Sequence, residues 1–385
     1  MRLASSASVT CALLLATSPL ACSAGSHAAP ATDGGVDGLS FDASPSDADL
    51  DPDGACAVRS FSGAKLPLTI AIVFDQSSSM SEGSPAKIDV AKAGLRIAFS
   101  DPRFDDVAVG LFRFGYQSGR DGCIWDTEPT SQPAVLTTSR ASLLAEIDKL
   151  TPSGATPTYS ALNAAYGWLA PKIYARTPPE DGRVVVVLVT DGAPTCGGES
   201  VDDYVTLVRK GRKATIDTFA IGLPGSDEKF DSTSSGSPSA AAFLSKLAAN
   251  GTDPSNLPPG CDVDPTPITN APAKPCYFDM HAGFSADKLA AAFENVRRAA
   301  SSCEYGMPAL DPSLDAAHPA IVITDGAGTR TSIPRCTSAS DPGVDGCWDW
   351  GNPTHTQVKI FGAACARVRD DAAAKVDVLL RCNPR

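Results

Sequence analysis

Side chains that carry oxygen follow one strongly apolar segment at a fixed spacing. Residues 66–74 are apolar apart from one threonine, and Asp75, Ser77 and Ser79 come directly after them in a D-x-S-x-S pattern. One carboxylate and two hydroxyls on alternate residues are ligands that suit a small hard cation. Serine-rich loops after strands are also ordinary turns, whose hydroxyls bond to their own backbone. The pattern alone leaves both interpretations open.

Two further oxygen-bearing residues occupy comparable places later in the chain. Thr156 lies in the polar loop 153–158, and Asp191 follows the apolar run 184–189 and one threonine. Each has an ordinary alternative, because Thr156 is also suited to capping the next helix and an Asp-Gly pair is also a common turn. Their position relative to strands and helices must therefore decide between a site and an ordinary cap or turn.

The Thr-Asp-Gly triplet at 190–192 recurs at 324–326, so the triplet alone does not identify a site. Asp191 follows six consecutive apolar residues and precedes a helical pattern, whereas Asp325 leads through two glycines back into alternating residues. The second context is typical of a hairpin. We predict that Asp191 belongs to a site and that Asp325 belongs to a turn.

Strands and helices that would position these residues alternate from about residue 65 to residue 300. Continuous apolar runs predict strands buried on both faces of a mostly parallel, doubly wound α/β sheet. Ligands bind at the carboxyl ends of the strands in such a sheet. The predicted strands cover 66–74, 107–114, 184–189, 216–221 and 276–280, and the predicted helices lie around 88–99, 143–150, 162–169, 204–214, 240–249 and 286–299.

Five residues, taken in chain order and with the predicted strands and helices around them, resemble the metal-ion-dependent adhesion site of the von Willebrand factor type A (vWA) domain. The resemblance covers roughly residues 65 to 300, and every position of the motif matches. It implies a bound Mg²⁺, with Mn²⁺ or Ca²⁺ as alternatives, and a protein partner that supplies an Asp or Glu carboxylate. The five residues are Asp75, Ser77, Ser79, Thr156 and Asp191.

The family function implied is divalent-cation-dependent protein binding or adhesion, and two alternatives remain beside it. In the first, the cation only staples the loops and the C-terminal module binds. In the second, the cation is a Lewis acid for hydrolysis, which requires a nearby base. No histidine lies near the five residues in sequence, and G-x-S-x-G, H-E-x-x-H and P-loop motifs are absent. We therefore predict that the protein is not an enzyme.

The N-terminal segment 1–22 is typical of a bacterial export signal. Its end, Leu20-Ala21-Cys22, resembles a lipobox, although Leu20 stands one place nearer the cysteine than in the usual motif. We predict lipidation at Cys22 and an outer-membrane lipoprotein that faces the periplasm or the cell surface. The alternative is a secreted protein whose signal peptide is cut before Ala31.

Residues 23–62 are rich in Ala, Gly, Ser, Pro and Asp, which leave little to bury, and they predict a disordered acidic tether. The formal net charge of −12 and the absence of a basic cluster argue against a nucleic-acid partner. Contact with a membrane is expected only through the lipid anchor.

Cysteines support the exported interpretation. Of the 12 cysteines, one lies in the signal and one would carry lipid, which leaves an even number for disulfides in an oxidising compartment. Cys261 is predicted to pair with Cys276, and Cys196 with Cys123 or with the insertion that contains Cys261. Five cysteines fall in residues 302–385, where short strand-like runs predict a small disulfide-rich β module after a vWA domain at 63–301.

Overall fold

The computed structural model of the chain describes residues 59–62, 64–65, 67–115, 123, 125–174, 182–225, 237–307, 314–337, 343–371 and 373–382. These residues belong to one compact unit. The predicted signal, the lipidation site Cys22 and the tether up to residue 58 lie outside the described residues.

The strands are β1 (Arg59–Ser62), β2 (Ala64–Lys65), β3 (Leu68–Asp75), β4 (Ala108–Phe114), β5 (Ser131–Val135), β6 (Arg183–Thr190), β7 (Ile216–Gly222), β8 (Phe278–Asp279), β9 (Glu304–Gly306), β10 (Leu314–Thr324), β11 (Arg330–Ile333), β12 (Cys347–Trp350), β13 (Gln357–Phe361) and β14 (Lys375–Cys382). The helices are α1 (Lys87–Ser100), α2 (Leu136–Asp148), α3 (Thr158–Tyr174), α4 (Val201–Lys213), α5 (Ala240–Gly251), α6 (Ala286–Ala300) and α7 (Gly362–Asp370).

Six strands form a central sheet in the order β5-β4-β3-β6-β7-β8. Neighbouring strands run parallel from β4 to β8, and only the edge strand β5 is antiparallel. The predicted α/β class with a mostly parallel, doubly wound sheet is confirmed. The strand β5 was not predicted, because its polar, proline-containing sequence has no clear two-residue alternation.

Helices cover both faces of this sheet, and β3 contributes to both cores. Its residues Ile70 and Ile72 join the core with α1, α2 and α6, whereas Ala71 and Val73 join the core with α3, α4 and α5. All four side chains are fully buried. Burial on both faces explains why the sequence of β3 is continuously apolar instead of alternating.

The β module consists of two four-stranded sheets, ordered β1-β14-β10-β11 and β12-β13-β9-β2, with the short helix α7. Their shared core includes Tyr305, Ile321, Trp348, Val358 and Val378. The predicted β-rich module is therefore present, and β10, β13 and β14 contain the strands expected there.

The predicted domain boundaries at the N-terminal side need correction. Residues 59–62 were assigned to the tether, but they form β1 and pair with β14. Residues 64–65, assigned to the vWA domain, form β2 and pair with β9. Both segments are too short for a detectable periodicity, and their partners lie at the other end of the chain. The module is thus built from both flanks of the α/β domain.

Four disulfides join described cysteines. They are Cys123–Cys196, Cys261–Cys276, Cys303–Cys365 and Cys336–Cys347. The predicted pairing of Cys261 with Cys276 is confirmed, and Cys196 takes the first of its two predicted partners. None of the helices described is long and apolar enough to span a bilayer.

The double substitution Ser60→Pro with Phe61→Pro tests the assignment of β1 to the β module. Along an antiparallel strand, every second residue directs its backbone N–H group to the partner strand. One of the two adjacent prolines must therefore remove a hydrogen bond to β14. We expect a loss of about 2 kcal/mol, which lowers the melting temperature by roughly 4–8 °C. The matched control, Ser46→Pro with Asp47→Pro, should melt like the parent protein, and equal melting of all three would refute the assignment.

Candidate metal centre

The site lies where β3 and β6 end. These strands are parallel neighbours, with Phe74 in register with Val189, so the residues that follow them leave the same edge of the sheet. Asp75 and Asp191 are 0% and 2% exposed. Two carboxylates are therefore buried at the ends of adjacent apolar strands, where each needs compensating partners.

Asp75 is held from both strands. Its Oδ1 accepts a hydrogen bond from the backbone N–H of Ser77 at 2.8 Å, and its Oδ2 accepts one from the Thr190 hydroxyl at 2.6 Å. Both carboxylate oxygens are thus used in fixing the loop after β3 against the end of β6. This places Asp75 behind the loop as an orienting residue.

The two serine hydroxyls form a chain that leads to Asp191. Ser77 Oγ and Ser79 Oγ lie 3.0 Å apart, and Ser79 Oγ donates to Asp191 Oδ1 at 3.0 Å. Side-chain oxygens that are far apart in sequence therefore meet at one point. The structure brings these three predicted residues into direct contact.

Hydrogen bonds connect the loop that carries Thr156 to the loops of the other site residues. The backbone N–H and the hydroxyl of Ser78 both donate to the Gly154 carbonyl at 3.0 Å. On the other side, the N–H of Thr156 donates to Thr195 Oγ1 at 2.9 Å. The loop of Thr156 is thereby bonded to the loops of Asp75 and Asp191, and the Thr156 side chain is buried.

Close backbone packing holds the Asp75 loop against the Thr156 loop. Gly115, at the end of β4, has φ +91°, and a Cβ atom there would lie 2.7 Å from the Ser77 nitrogen and 2.9 Å from the Ala155 carbonyl oxygen. Any side chain would push the two loops apart. Glycine is required at this position by both its conformation and its surroundings.

The second Thr-Asp-Gly triplet forms a turn, as predicted. Asp325 lies between the antiparallel strands β10 and β11, and its Oδ1 accepts the backbone N–H groups of Ala327 and Thr329. Its carboxylate is used within the hairpin and lies outside the candidate site.

Lys87 is a residue of the site that the sequence analysis missed. Its Nζ lies 2.6 Å from Asp191 Oδ2, and it also donates to Glu82 Oε2 and to the Pro224 carbonyl, both at 3.1 Å. Lys87 is the first residue of α1, where the helix dipole disfavours a positive charge. A lysine at such an unfavourable position indicates that its positive charge pairs with an acidic group elsewhere, and this was the sequence feature that could have revealed it.

The electrostatics of the site favour added positive charge. Burial, together with the nearby charge of Asp191, raises the pKa of Asp75 to about 7 and outweighs the hydrogen bonds from Thr190 and Ser77. Burial alone would lower the pKa of Lys87, but the hydrogen bond and charge of Asp191, with those of Glu82, raise it above its ordinary value. The Lys87 ammonium group is thus paired with Asp191, while the negative charge of Asp191 still raises the pKa of Asp75.

The donor set suits a hard divalent cation. The five predicted residues offer hydroxyl and carboxylate oxygens, with no nitrogen or sulfur, which is the chemistry that Mg²⁺, Mn²⁺ and Ca²⁺ prefer. In the part of the chain that the structure describes, no cluster of three or more His, Cys, Asp or Glu residues could hold a metal. A cation here would depend on the hydroxyl oxygens.

Comparison with known proteins agrees with the resemblance. Residues 70–193, which contain all five positions, match the family described as "von Willebrand factor type A domain". The uncharacterized protein YwmD of Bacillus subtilis (strain 168) is 30% identical over an alignment of 161 residues, which covers 39% of this chain. The chain covers 64% of that relative, less than two thirds of its length. The match confirms a vWA domain within the chain.

Two solved structures whose descriptions include a bound metal are distantly similar to this chain. Proximal thread matrix protein 1 from the mussel byssus, with a zinc-occupied MIDAS motif, is 20% identical with a TM-score of 0.35. The match covers 62% of this chain and 47% of the mussel protein's chain. Manganese-loaded TRAP protein of Plasmodium vivax is 14% identical with a TM-score of 0.38. The match covers 80% of this chain and 98% of the TRAP chain.

The variant Lys87→Met tests the role of the ammonium group. Methionine keeps much of the length of the side chain but leaves the buried Asp191 carboxylate unpaired, at a cost of about 3 kcal/mol. We expect a lower melting temperature in EDTA and a larger rise on addition of Mg²⁺ than in the parent protein. Lys92→Met, on the same helix, is the control, and an equal Mg²⁺ response in both variants would contradict the assignment.

Asp75→Asn tests the buried carboxyl in EDTA. Because the folded-state pKa of Asp75 lies above its unfolded value, ionisation opposes folding, so stability falls as the pH rises from about 4 to about 7 and then levels off. The neutral Asn variant lacks this contribution. Urea unfolding should show that the free energy of unfolding falls less between pH 5 and pH 8 in the variant than in the parent protein. An equal fall in both proteins would show that Asp75 is not the titrating group.

Proposed function

We propose that the chain binds a protein partner in a divalent-cation-dependent manner through Asp75, Ser77, Ser79, Thr156 and Asp191. The observation that carries this proposal is the hydrogen-bonded chain Ser77–Ser79–Asp191 at the carboxyl end of the sheet, backed by the buried Asp75. Mg²⁺ is our first choice of cation, with Mn²⁺ or Ca²⁺ as alternatives.

The hydroxyls of Ser77, Ser79 and Thr156 would hold the cation, while the two carboxylates orient them from behind. Both oxygens of Asp75 and both oxygens of Asp191 already have partners within the protein. A dication held by neutral hydroxyls and water keeps much of its charge, and it then favours an anionic ligand. An Asp or Glu carboxylate of a partner protein supplies that ligand.

Binding is favoured over catalysis by how the ionisable groups are used. Hydrolysis at a metal requires a base beside the open position. Among the described residues around the site, the Asp75 and Asp191 carboxylates accept hydrogen bonds or pair with Lys87, and Lys87 is itself held by Glu82 and Pro224. Each of these groups is committed to holding the loops.

The cation is not needed as a staple for the loops. Hydrogen bonds from Ser78 to Gly154 and from Thr156 to Thr195 connect the three loops directly. The ion pair of Lys87 with Asp191 adds a link to α1. This favours a role for the cation in recognition over a purely structural one, in which the β module would bind the partner.

We place the protein at the cell envelope as an outer-membrane lipoprotein. Four disulfides between described cysteines are typical of proteins from oxidising compartments. The lipobox-like sequence that ends in Cys22 and the acidic segment after it supply an anchor and a spacer. A secreted form, without lipid, is the alternative.

Thr156→Val tests both the site and the function. Valine keeps the side-chain shape and the backbone bond to Thr195 but removes the hydroxyl, so we expect the affinity for Mg²⁺ to fall at least about tenfold in isothermal titration. Capture of an envelope protein on the immobilised chain in Mg²⁺, followed by release with EDTA, should fail with this variant.

Thr158→Val is the matched control for this experiment. Thr158 is buried like Thr156, and its hydroxyl has no hydrogen-bond partner among the residues that the structure describes, so its removal should leave Mg²⁺ affinity and capture unchanged. Equal Mg²⁺ affinity and equal capture by the two variants would refute the role of Thr156. Capture that persists in EDTA would refute cation-dependent binding altogether.

A further inference from the structure

A short loop of the β module presents an apolar and an acidic side chain next to each other. It comprises residues 343–346, between β11 and β12, and the disulfide Cys336–Cys347 closes the segment that contains it. Val344, at 93% exposure, is the most exposed large apolar side chain among the described residues. The next residue, Asp345, is also exposed. Both side chains are therefore available for contact with another molecule.

The backbone of this loop is fixed to the rest of the module. Arg367 Nη2, on α7, donates to the backbone carbonyl of Asp345 at 3.1 Å. Gly346 has φ +86°, and a Cβ atom there would clash with the Phe361 carbonyl oxygen and lie 2.6 Å from the Ala364 nitrogen. The backbone after Asp345 thus packs directly on the end of β13 and the start of α7. A loop that is already fixed loses little conformational entropy on binding.

The carboxylate of Asp345 has no hydrogen-bond or ion-pair partner among the residues that the structure describes. A comparable loop of the chain has Val263, which is 55% exposed, between two aspartates. There, Asp262 Oδ1 accepts the backbone N–H of Asp264 at 3.3 Å, and Asp264 pairs with Lys246 at 3.5 Å. Those two carboxylates have partners within the protein, whereas that of Asp345 is open to an external cation.

The β module lies at the amino end of the central sheet, opposite the candidate metal centre. On one side, β2 ends at Lys65, just before β3 begins at Leu68. On the other side, α6 starts after β8, at the carboxyl end of the sheet, since Asp279 is in register with Gly222 at the end of β7. The 15 residues of α6 return the chain to the amino end, and β9 follows shortly after.

Asp345 is too far from the metal centre of its own molecule to bind there. Arg367 holds its carbonyl, and Arg369, on the same helix, donates to the carbonyl of Ser301 at the end of α6. The loop is therefore tied to the amino end of the sheet. The eight residues of β3 separate this end from the metal centre by roughly 25 Å. A metal ligand must come within about 2 Å of the ion, so the Asp345 that binds belongs to another molecule.

We propose that the partner at the metal centre is a second copy of this chain, whose Asp345 carboxylate binds the cation while its Val344 contacts the rim of the site. The proposal rests on the proposed function and names the partner. Because the site of one copy takes a loop from the far end of the next, the contact is head-to-tail. Repeated contacts of this kind build open chains or closed rings of molecules.

The charges make the cation essential for this contact. Copies with a formal net charge of −12 repel one another, and the Asp75 and Asp191 carboxylates of the receiving copy lie behind its site. A further carboxylate, that of Asp345, is attracted there only when a dication is bound. The association should therefore vanish in EDTA.

Two complementary variants of the full chain test the head-to-tail contact by sedimentation velocity. Asp345→Asn keeps the metal centre and loses the ligand, whereas Thr156→Val keeps the ligand and loses a metal-binding hydroxyl. At a Mg²⁺ concentration that half-saturates the parent protein, we expect the parent to form oligomers that grow with protein concentration. Each variant alone should stay monomeric. An equimolar mixture of the two should form a one-to-one dimer that dissociates in EDTA.

Asp264→Asn is the matched control, because it also neutralises an exposed aspartate beside an exposed valine. It breaks only an exposed ion pair, so it should oligomerise like the parent protein. In isothermal titration of Thr156→Val into Asp345→Asn, adding Val344→Ser to the first chain should weaken the association about tenfold, because the aliphatic surface is lost.

Several outcomes would overturn this proposal. They are a mixture that stays monomeric, association that persists in EDTA or in Asp345→Asn alone, and an equal loss of association in Asp264→Asn. A Mg²⁺ titration of Asp345→Asn and of the parent, done in parallel, separates the two proposals. Normal Mg²⁺ affinity without association overturns the second copy as the partner and leaves the proposed function intact. Absence of Mg²⁺ binding in both proteins overturns the proposed function itself.

Discussion

Two carboxylates buried at the ends of adjacent parallel strands are the constraint on which the site depends. Asp75 and Asp191 leave β3 and β6 at the same edge of a sheet that is apolar on both faces. Their burial is costly unless hydrogen bonds and positive charge compensate it. Lys87 supplies one positive charge, and the hydroxyls of Thr190 and Ser79 each donate to one carboxylate. The loops are arranged by the need to supply these partners.

The fold supports this arrangement from several directions. Helices on both faces fix the strands, and glycines allow the loops to come close to one another. Gly115 lets the Thr156 loop approach Ser77, and Gly225, with φ +107°, leaves room for the carbonyl of Asp191. The disulfide Cys123–Cys196 ties the segment after β4 to the segment after β6. A preorganised set of oxygen atoms loses little freedom when it binds a cation.

Residues and elements with strong local patterns could be predicted from the sequence. The apolar runs of β3 and β6 placed Asp75 and Asp191 at strand ends, and the glycines after Asp325 identified its turn. Four short elements were not predicted, because a segment of so few residues shows no clear hydrophobic periodicity. They are the strands β1, β2 and β5 and the helix α7. Lys87 was missed because its ion pair joins residues that are far apart in the chain, which a local pattern does not reveal.

Crystals of the full chain soaked in Mn²⁺ would test the metal centre most directly, through the anomalous scattering of the metal. We predict one strong peak at the carboxyl end of β3, about 2.1 Å from the hydroxyl oxygens of Ser77, Ser79 and Thr156. Asp75 and Asp191 should lie behind those ligands, with Lys87 still at Asp191. A peak coordinated by other residues, or no peak at saturating Mn²⁺, would contradict the account.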